Sequence, residues 1–227
     1  MTSLAENIAS VKDRVYRAAQ DENSTAKLPR IMAASKARST EEVRLAANHG
    51  IVDFGENYLQ EALEKINSTQ DLDIVWHFIG AIQSNKTSTI ANHFDWVQSV
   101  DRLKIAQRLS KQRASSLPPL NICIQINLDQ EPTKAGVSPA ELMPLAAELI
   151  DLPNLTLRGM MCIPMPRHKY DEQLEACEKA VNLFNDLKQL SLDIDTLSLG
   201  MSADLRAAVS AGSTMVRIGT DIFGART

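Results

Sequence analysis

Short apolar runs alternate with longer segments in which apolar residues recur every three or four positions. The runs are IMAAS (31–35), IVDF (51–54), VWHFI (75–79), DWVQS (95–99), NICIQIN (121–127), LTLRGMM (155–161), TLSLG (196–200) and MVRIG (215–219). Bounded as they are by turn residues, these eight runs read as strands. Helices are predicted between them over 57–67, 84–93, 101–114, 169–190 and 202–211. Two more carry start signals: Ser39 ahead of Glu41 and Glu42, with Gly50 as a stop, and Ser138 ahead of Pro139, with Glu141 at the third helical position. Before the first strand, Leu4, Ile8, Val11 and Val15 recur at helical spacing behind a Ser3/Glu6 capping box, which adds an extra N-terminal helix. Strict βα alternation favours a parallel sheet, and eight repeats favour its closure into a TIM-type (β/α)8 barrel of the α/β class. No Gly/Ser linker or low-complexity stretch divides the chain, and SSLPPL (115–120) reads as a helix stop, so one domain is expected over 1–227.

Composition narrows the function more than the fold. At 227 residues, 44% apolar and 23% charged, the chain suits one barrel, and a formal net charge of −4 supplies no cationic field for nucleic acid. A local basic pocket for a small phosphate remains open. Cys123, Cys162 and Cys177 lack metal or redox spacing and read as buried thiols. Glu6, Lys12, Asp13 and Arg14 interrupt any signal-peptide core, and no later run is long enough to span a bilayer. A cytoplasmic protein in a reducing compartment, binding neither membrane nor nucleic acid, is the expectation.

Functional groups on such barrels gather at the C-terminal ends of the strands, and the residues that break the apolar pattern fall there. RIMAASK (30–36) runs through a strand and ends on Lys36. A strand-end lysine often only extends its head to solvent; the alternative is a Schiff-base amine, which must be neutral to attack a carbonyl. At a pKa of about 10.4 only about one lysine in 2,500 is neutral at pH 7, so such a site needs burial or a neighbouring cation. GMSAD (200–204) and GTD (219–221) offer glycines, hydroxyls and helix starts after strands seven and eight, where barrels commonly hold phosphate. Ser202 as a plain helix cap and Gly219 as a plain turn residue are the competing explanations. Arg217, inside an apolar strand, requires either a structural ion pair or a ligand acceptor such as a ring nitrogen. His77 reads as a hydrogen-bonded core histidine, Asn57 as either a helix cap or a ligand contact, and Met160 and Met161 as packing. Asp129, Glu131 and Asp204 form no acid/base pair.

The motifs ASK (34–36), FGENYLQE (54–61), WHFIGAIQSNK (76–86), SVDRL (99–103), LRGMMCIP (157–164) and LSLGMSADLRAAVSAGSTMVRIGTDIFGAR (197–226) occur in one order. By these the chain resembles the pyridoxal phosphate homeostasis proteins over essentially its whole length. The resemblance implies the barrel of fold-type III pyridoxal phosphate proteins, similar to the N-terminal domain of alanine racemase. It implies pyridoxal 5′-phosphate as cofactor, with Lys36 forming the Schiff base. Ser202, Gly219 and Thr220 then contact the phosphate, with Met201 lending backbone; Arg217 faces the pyridine nitrogen; Asn57, His77 and Met161 surround the ring. The chain departs from the pattern where relatives read SKTKP and it reads SKARS, so Arg38 replaces a second lysine. Lys65 and Lys134 are expected to be solvated surface lysines.

The implied function is a non-catalytic carrier or buffer of pyridoxal phosphate, monomeric, acting in vitamin B6 and amino-acid homeostasis, with pyridoxal phosphate-dependent apoenzymes as its partners. An arginine facing the ring nitrogen keeps it unprotonated and weakens the electron sink that carbanion chemistry needs. The chain end at 227 is also expected to leave no second, racemase-type domain, and Tyr16, Tyr58 and Tyr170 do not resemble the racemase base motif. A pyridoxal phosphate-dependent amino-acid racemase and a Schiff-base aldolase on a sugar phosphate are the competing enzymes.

Overall fold

A computed structural model describes residues 3–20 and 28–225. Its eight strands are β1 (Arg30–Ala34), β2 (Asp53–Glu56), β3 (Val75–Phe78), β4 (Trp96–Val100), β5 (Leu120–Ile126), β6 (Leu155–Cys162), β7 (Thr196–Ser198) and β8 (Met215–Ile218). Each pairs in parallel with the next and β8 returns to β1, closing the expected barrel. The surrounding helices are α2 (Thr40–Asn48), α3 (Leu59–Ser68), α4 (Thr87–His93), α5 (Leu103–Gln112), α6 (Pro139–Leu149), α7 (Tyr170–Leu187) and α8 (Leu205–Ala211), with α1 (Leu4–Gln20) ahead of the barrel and a one-turn α9 (Thr220–Phe223) after β8.

The capping signals do what their chemistry requires. Ser3 and Glu6 exchange bonds at the start of α1, Ser39 and Glu42 do the same for α2, and the Glu141 carboxylate accepts from Ser138 at α6. Elsewhere the boundaries differ from the sequence expectation. The predicted 169–190 helix ends as α7 at Leu187 and continues only as a 3₁₀ turn over Lys188–Leu190. The helix expected from 202 begins at Leu205, because Gly200 sits at φ +99° and the Asp204 carboxylate takes the Met201 amide at 2.7 Å, which closes a turn ahead of it.

Strand alternation divides the barrel into two chemically different faces. Outward residues such as Phe54, Phe78, Val97, Ile124, Leu197 and Ile218 join the helices in the main apolar core. Inward positions hold a small apolar cluster of Trp96, Cys123 and Met161 and the buried Met32 and Met215, set among polar side chains such as Asp53, His77, Gln98, Ser198 and Arg217. The three cysteines are buried, and burial pushes each thiol up to about 12, which leaves them inert. Among the described residues no helix is long and apolar enough to cross a membrane, and no group of metal-binding side chains assembles.

Candidate functional site

Lys36 lies two residues beyond the end of β1, half-buried in a turn at the C-terminal mouth of the barrel. The turn is tight: Ala37 adopts φ +57°, and its amide donates to the Glu61 carboxylate at 2.6 Å. Next in chain order, Arg38 is tied to Glu42, to the Gly224 carbonyl and to the face of Phe223. It joins the β1 turn to the segment after α9, as a side chain that is only 12% exposed.

Lys65 corrects the expectation of a solvated surface lysine. It is 3% exposed and donates to the Ser35 carbonyl at 2.7 Å and to Glu56 at 2.8 Å, with Glu61 as a second anionic partner. Its place on α3 explains this, since Ala62 and Lys65 share the inward face of that helix, where the fully buried Glu56 requires a cation. Burial holds the Glu56 carboxyl above the usual carboxylate range even though Lys65 and Ser35 both hydrogen-bond to it. Lys134 is paired with Glu131 on the loop after β5 and is half-buried.

The loops after β7 and β8 come together at the same mouth. Arg14 of α1 donates to the Ser202 carbonyl at 3.0 Å and pairs with Asp221, so one side chain clasps both loops. Asn7 adds a bond to the Ile222 carbonyl at 3.0 Å. Ser202 caps nothing: Asp204 occupies the N-cap position of α8, without a side-chain capping bond. A Cβ built on Gly219 would meet Ala34 only at 3.4 Å or beyond, ordinary contact, so the neighbouring chain does not by itself demand glycine there. The site places Gly219 and Thr220 beside the end of β1, and Met201 next to Ser202, although the Met201 amide is already engaged by Asp204.

Asn57 follows β2, and α3 starts only at Leu59 with Tyr58 as N-cap, so Asn57 is not the cap. Its Oδ1 is buried without a partner. Gly80 permits this arrangement, because a Cβ at that position would lie 2.1 Å from the Asn57 carbonyl oxygen.

Below the mouth, a hydrogen-bonded chain crosses the lumen. Arg217 donates to the Ser198 carbonyl (2.6 Å), the Ser198 hydroxyl (2.8 Å) and the Cys162 carbonyl (2.8 Å). Ser198 Oγ donates to Gln98 Oε1 at 2.7 Å, and Gln98 Nε2 donates to His77 Nδ1 at 3.0 Å. His77 Nε2 lies 2.9 Å from Asp53, which also pairs with Arg30. This donor order requires a neutral His77 protonated on Nε2. Burial drives the His77 imidazole below its ordinary value, against the pull of Asp53. Burial works to raise Asp53, but the hydrogen bonds and charges of His77 and Arg30 outweigh it and hold that carboxyl low. The core reading of His77 therefore stands: it is fully buried, both nitrogens are engaged, and its ring stacks on Trp96. Met161 packs against Trp96 and Cys123. Arg217, 5% exposed, has the opposite character. Its acceptors are all neutral, and no carboxylate pairs with it among the described residues, so the structural ion pair that would have explained it is missing.

A family model described as the alanine racemase N-terminal domain matches residues 3–227. The chain is 52% identical over 226 residues to the pyridoxal phosphate homeostasis protein of Pseudomonas aeruginosa, a match spanning 100% of this chain and 97% of that one. With the protein of the same name from Escherichia coli K12 it shares 47% over 229 residues, spanning 100% and 98%. The chain belongs to the pyridoxal phosphate homeostasis family. Among solved structures, PipY of Synechococcus elongatus with pyridoxal phosphate bound superposes with TM-score 0.84 at 32% identity, covering 98% of this chain and 100% of PipY. Alanine racemase of Clostridium difficile shares the fold at TM-score 0.75 and 16% identity, and the chain spans 57% of it.

The residues of this family member fit the vitamer on physical grounds. Arg217 is a buried cation served only by neutral acceptors, Asn57 presents an unpartnered buried oxygen, and Lys36 supplies an amine at the same mouth. Sequence reasoning missed Asp53, Gln98, Ser198, Glu56 and Arg14 as parts of the arrangement. The available signal was a polar residue at an inward position of a strand, as with Asp53 in IVDF, Gln98 in DWVQS and Ser198 in TLSLG.

Proposed function

We propose that this chain, a single barrel domain over 1–227, holds pyridoxal 5′-phosphate reversibly through Lys36 as a cytoplasmic monomer. It buffers the free vitamer and supplies it to pyridoxal phosphate-dependent apoenzymes. When bound, the group supplies a reactive aldehyde: the neutral Lys36 nitrogen bonds its carbon, and the carbonyl oxygen leaves as water. The chain's own residues do the rest. Ser202, Gly219 and Thr220 hold the anionic tail, with Met201 beside them, while Asn57 and Met161 border the ring. His77 acts one layer lower, through Gln98 and Ser198, on Arg217.

The observation that carries the proposal is Arg217 itself, buried and served only by neutral acceptors. Burial lowers its pKa, yet a guanidinium stays protonated in proteins. It can donate a hydrogen bond to a ring nitrogen but cannot hand over a proton, which supports holding the group rather than using it as an electron sink. The test is the visible absorbance of protein purified with the vitamer. The wild type is expected to be yellow without any substrate and Lys36→Ala colourless. Chirally resolved assays with alanine and serine are expected to show no turnover; racemization at ordinary enzymatic rates would replace the carrier function with a racemase.

A further inference from the structure

The peptide groups on both sides of Lys36 are held from behind by one buried ionic cluster. The Ser35 carbonyl, in the peptide that enters Lys36, accepts from Lys65 Nζ at 2.7 Å. The Ala37 amide, in the peptide that leaves it, donates to Glu61 at 2.6 Å. Lys65 bridges Glu61 and Glu56, and Glu56 also accepts from the Ser35 hydroxyl at 2.6 Å. Both carboxylates and the ammonium thus converge on the three residues Ser35, Lys36 and Ala37.

An arrangement of this cost needs a reason. Lys65 is 3% exposed and Glu56 fully buried, and burying such charges rarely adds stability over an apolar replacement. Ala37 sits at φ +57°, a conformation that L-residues with a Cβ avoid unless the surroundings impose it. The cluster lies on the helix side of the barrel wall, since its members meet between β1, β2 and α3, so it does not reach the lumen. What it fixes is the direction in which the backbone presents residue 36.

We propose that Lys65, Glu61 and Glu56 are positioning residues for Lys36, setting the β1 turn so that the amine meets the vitamer's aldehyde in a productive geometry. The inference rests on the carrier function above and assigns part of its rate to residues outside the pocket. It predicts a split between two ligands. Pyridoxal 5′-phosphate condenses with the amine, releasing water; pyridoxine 5′-phosphate, an alcohol at the same carbon, fills the pocket without condensing.

In stopped-flow absorbance, Lys65→Met and Glu61→Ala are expected to condense with pyridoxal 5′-phosphate about ten- to hundredfold more slowly than wild type, the scale of a misplaced reacting group. Calorimetric affinity for pyridoxine 5′-phosphate is expected to stay at the wild-type value. Glu61→Gln keeps an acceptor oxygen for the Ala37 amide and is expected to recover most of the rate. Glu61 is 28% exposed in its side chain, so Glu61→Ala carries the test should Lys65→Met fail to fold. Unchanged condensation in Glu61→Ala overturns the inference, and so does parallel loss of both ligands, which makes the cluster general scaffolding. A wild-type protein that does not condense at Lys36 sinks the carrier function first and the positioning role with it.

Discussion

Replacing Gln98 by leucine cuts the lumenal chain at its middle while keeping nearly the same volume. Gln98 is fully buried and, besides a contact from Nε2 to Met215 Sδ at 3.1 Å, serves two polar neighbours, accepting from Ser198 Oγ at 2.7 Å and donating to His77 Nδ1 at 3.0 Å. Leucine does neither, and both neighbours are themselves buried, out of reach of replacement water. A stranded buried polar group costs about 1–3 kcal/mol, so the substitution is expected to cost about 2–6 kcal/mol. For a chain of this size a loss of about 4 kcal/mol lowers Tm by about 8–16 °C. Urea unfolding of the ligand-free protein measures it, and a cycle with Ser198→Ala tests the cause. Because the two residues share one bond, their combined cost is expected to fall short of the sum by about 0.5–3 kcal/mol. A Gln98→Leu cost below about 0.5 kcal/mol, the range of an inconsequential surface change, or strict additivity with Ser198→Ala, would refute the chain as described.

Four further expectations follow from the same geometry. His77 is depressed in the folded protein, so its contribution is full above the unfolded value of about 6.5 and is lost as pH falls below it, with a slope of at most about 1.4 kcal/mol per pH unit. His77→Gln should flatten the stability profile between pH 5 and 6.5 in pH-dependent urea melts, and an unchanged slope contradicts the assignment. Glu56, being raised, has the opposite sign: its contribution declines as pH rises above about 4.3, so Glu56→Gln should steepen the net loss of stability on acidification across that region. Replacing Arg217 by glutamine is expected to alter the absorbance of the bound vitamer or its pH response more than it alters folding, and an unchanged spectrum and affinity refute the role given to its guanidinium. Arg14→Ala should weaken binding of both pyridoxal and pyridoxine 5′-phosphates alike, since it loosens the loops rather than Lys36; an effect confined to the aldehyde would contradict the clasp.

The parts of this molecule that sequence makes legible are those decided by local chemistry. Eight apolar runs and three Ser/Glu capping pairs specify the strands and the starts of α1, α2 and α6, because each signal operates within a few residues. Lys36 and Arg217 stood out because a charge at the end or middle of an apolar strand has few physical explanations. The lumenal chain did not stand out, since Asp53, Gln98 and Ser198 belong to strands far apart in sequence and only barrel closure brings their side chains together. Lys65 was misread for a different reason. Charge outweighed position, although Ala62 and Lys65 share the buried face of α3 and Glu56 supplies the counter-charge. Asn57 and Ser202 each adjoin a helix start, but the helices open at Leu59 and Leu205, which releases both side chains from capping.

The central claim is a covalent bond to one named nitrogen. The direct measurement is borohydride reduction of the protein loaded with pyridoxal 5′-phosphate, followed by peptide mass spectrometry. The account predicts a single stable adduct, on the peptide that contains Lys36. An adduct on Lys65, Lys134 or an exterior lysine, or no adduct at all, would contradict it.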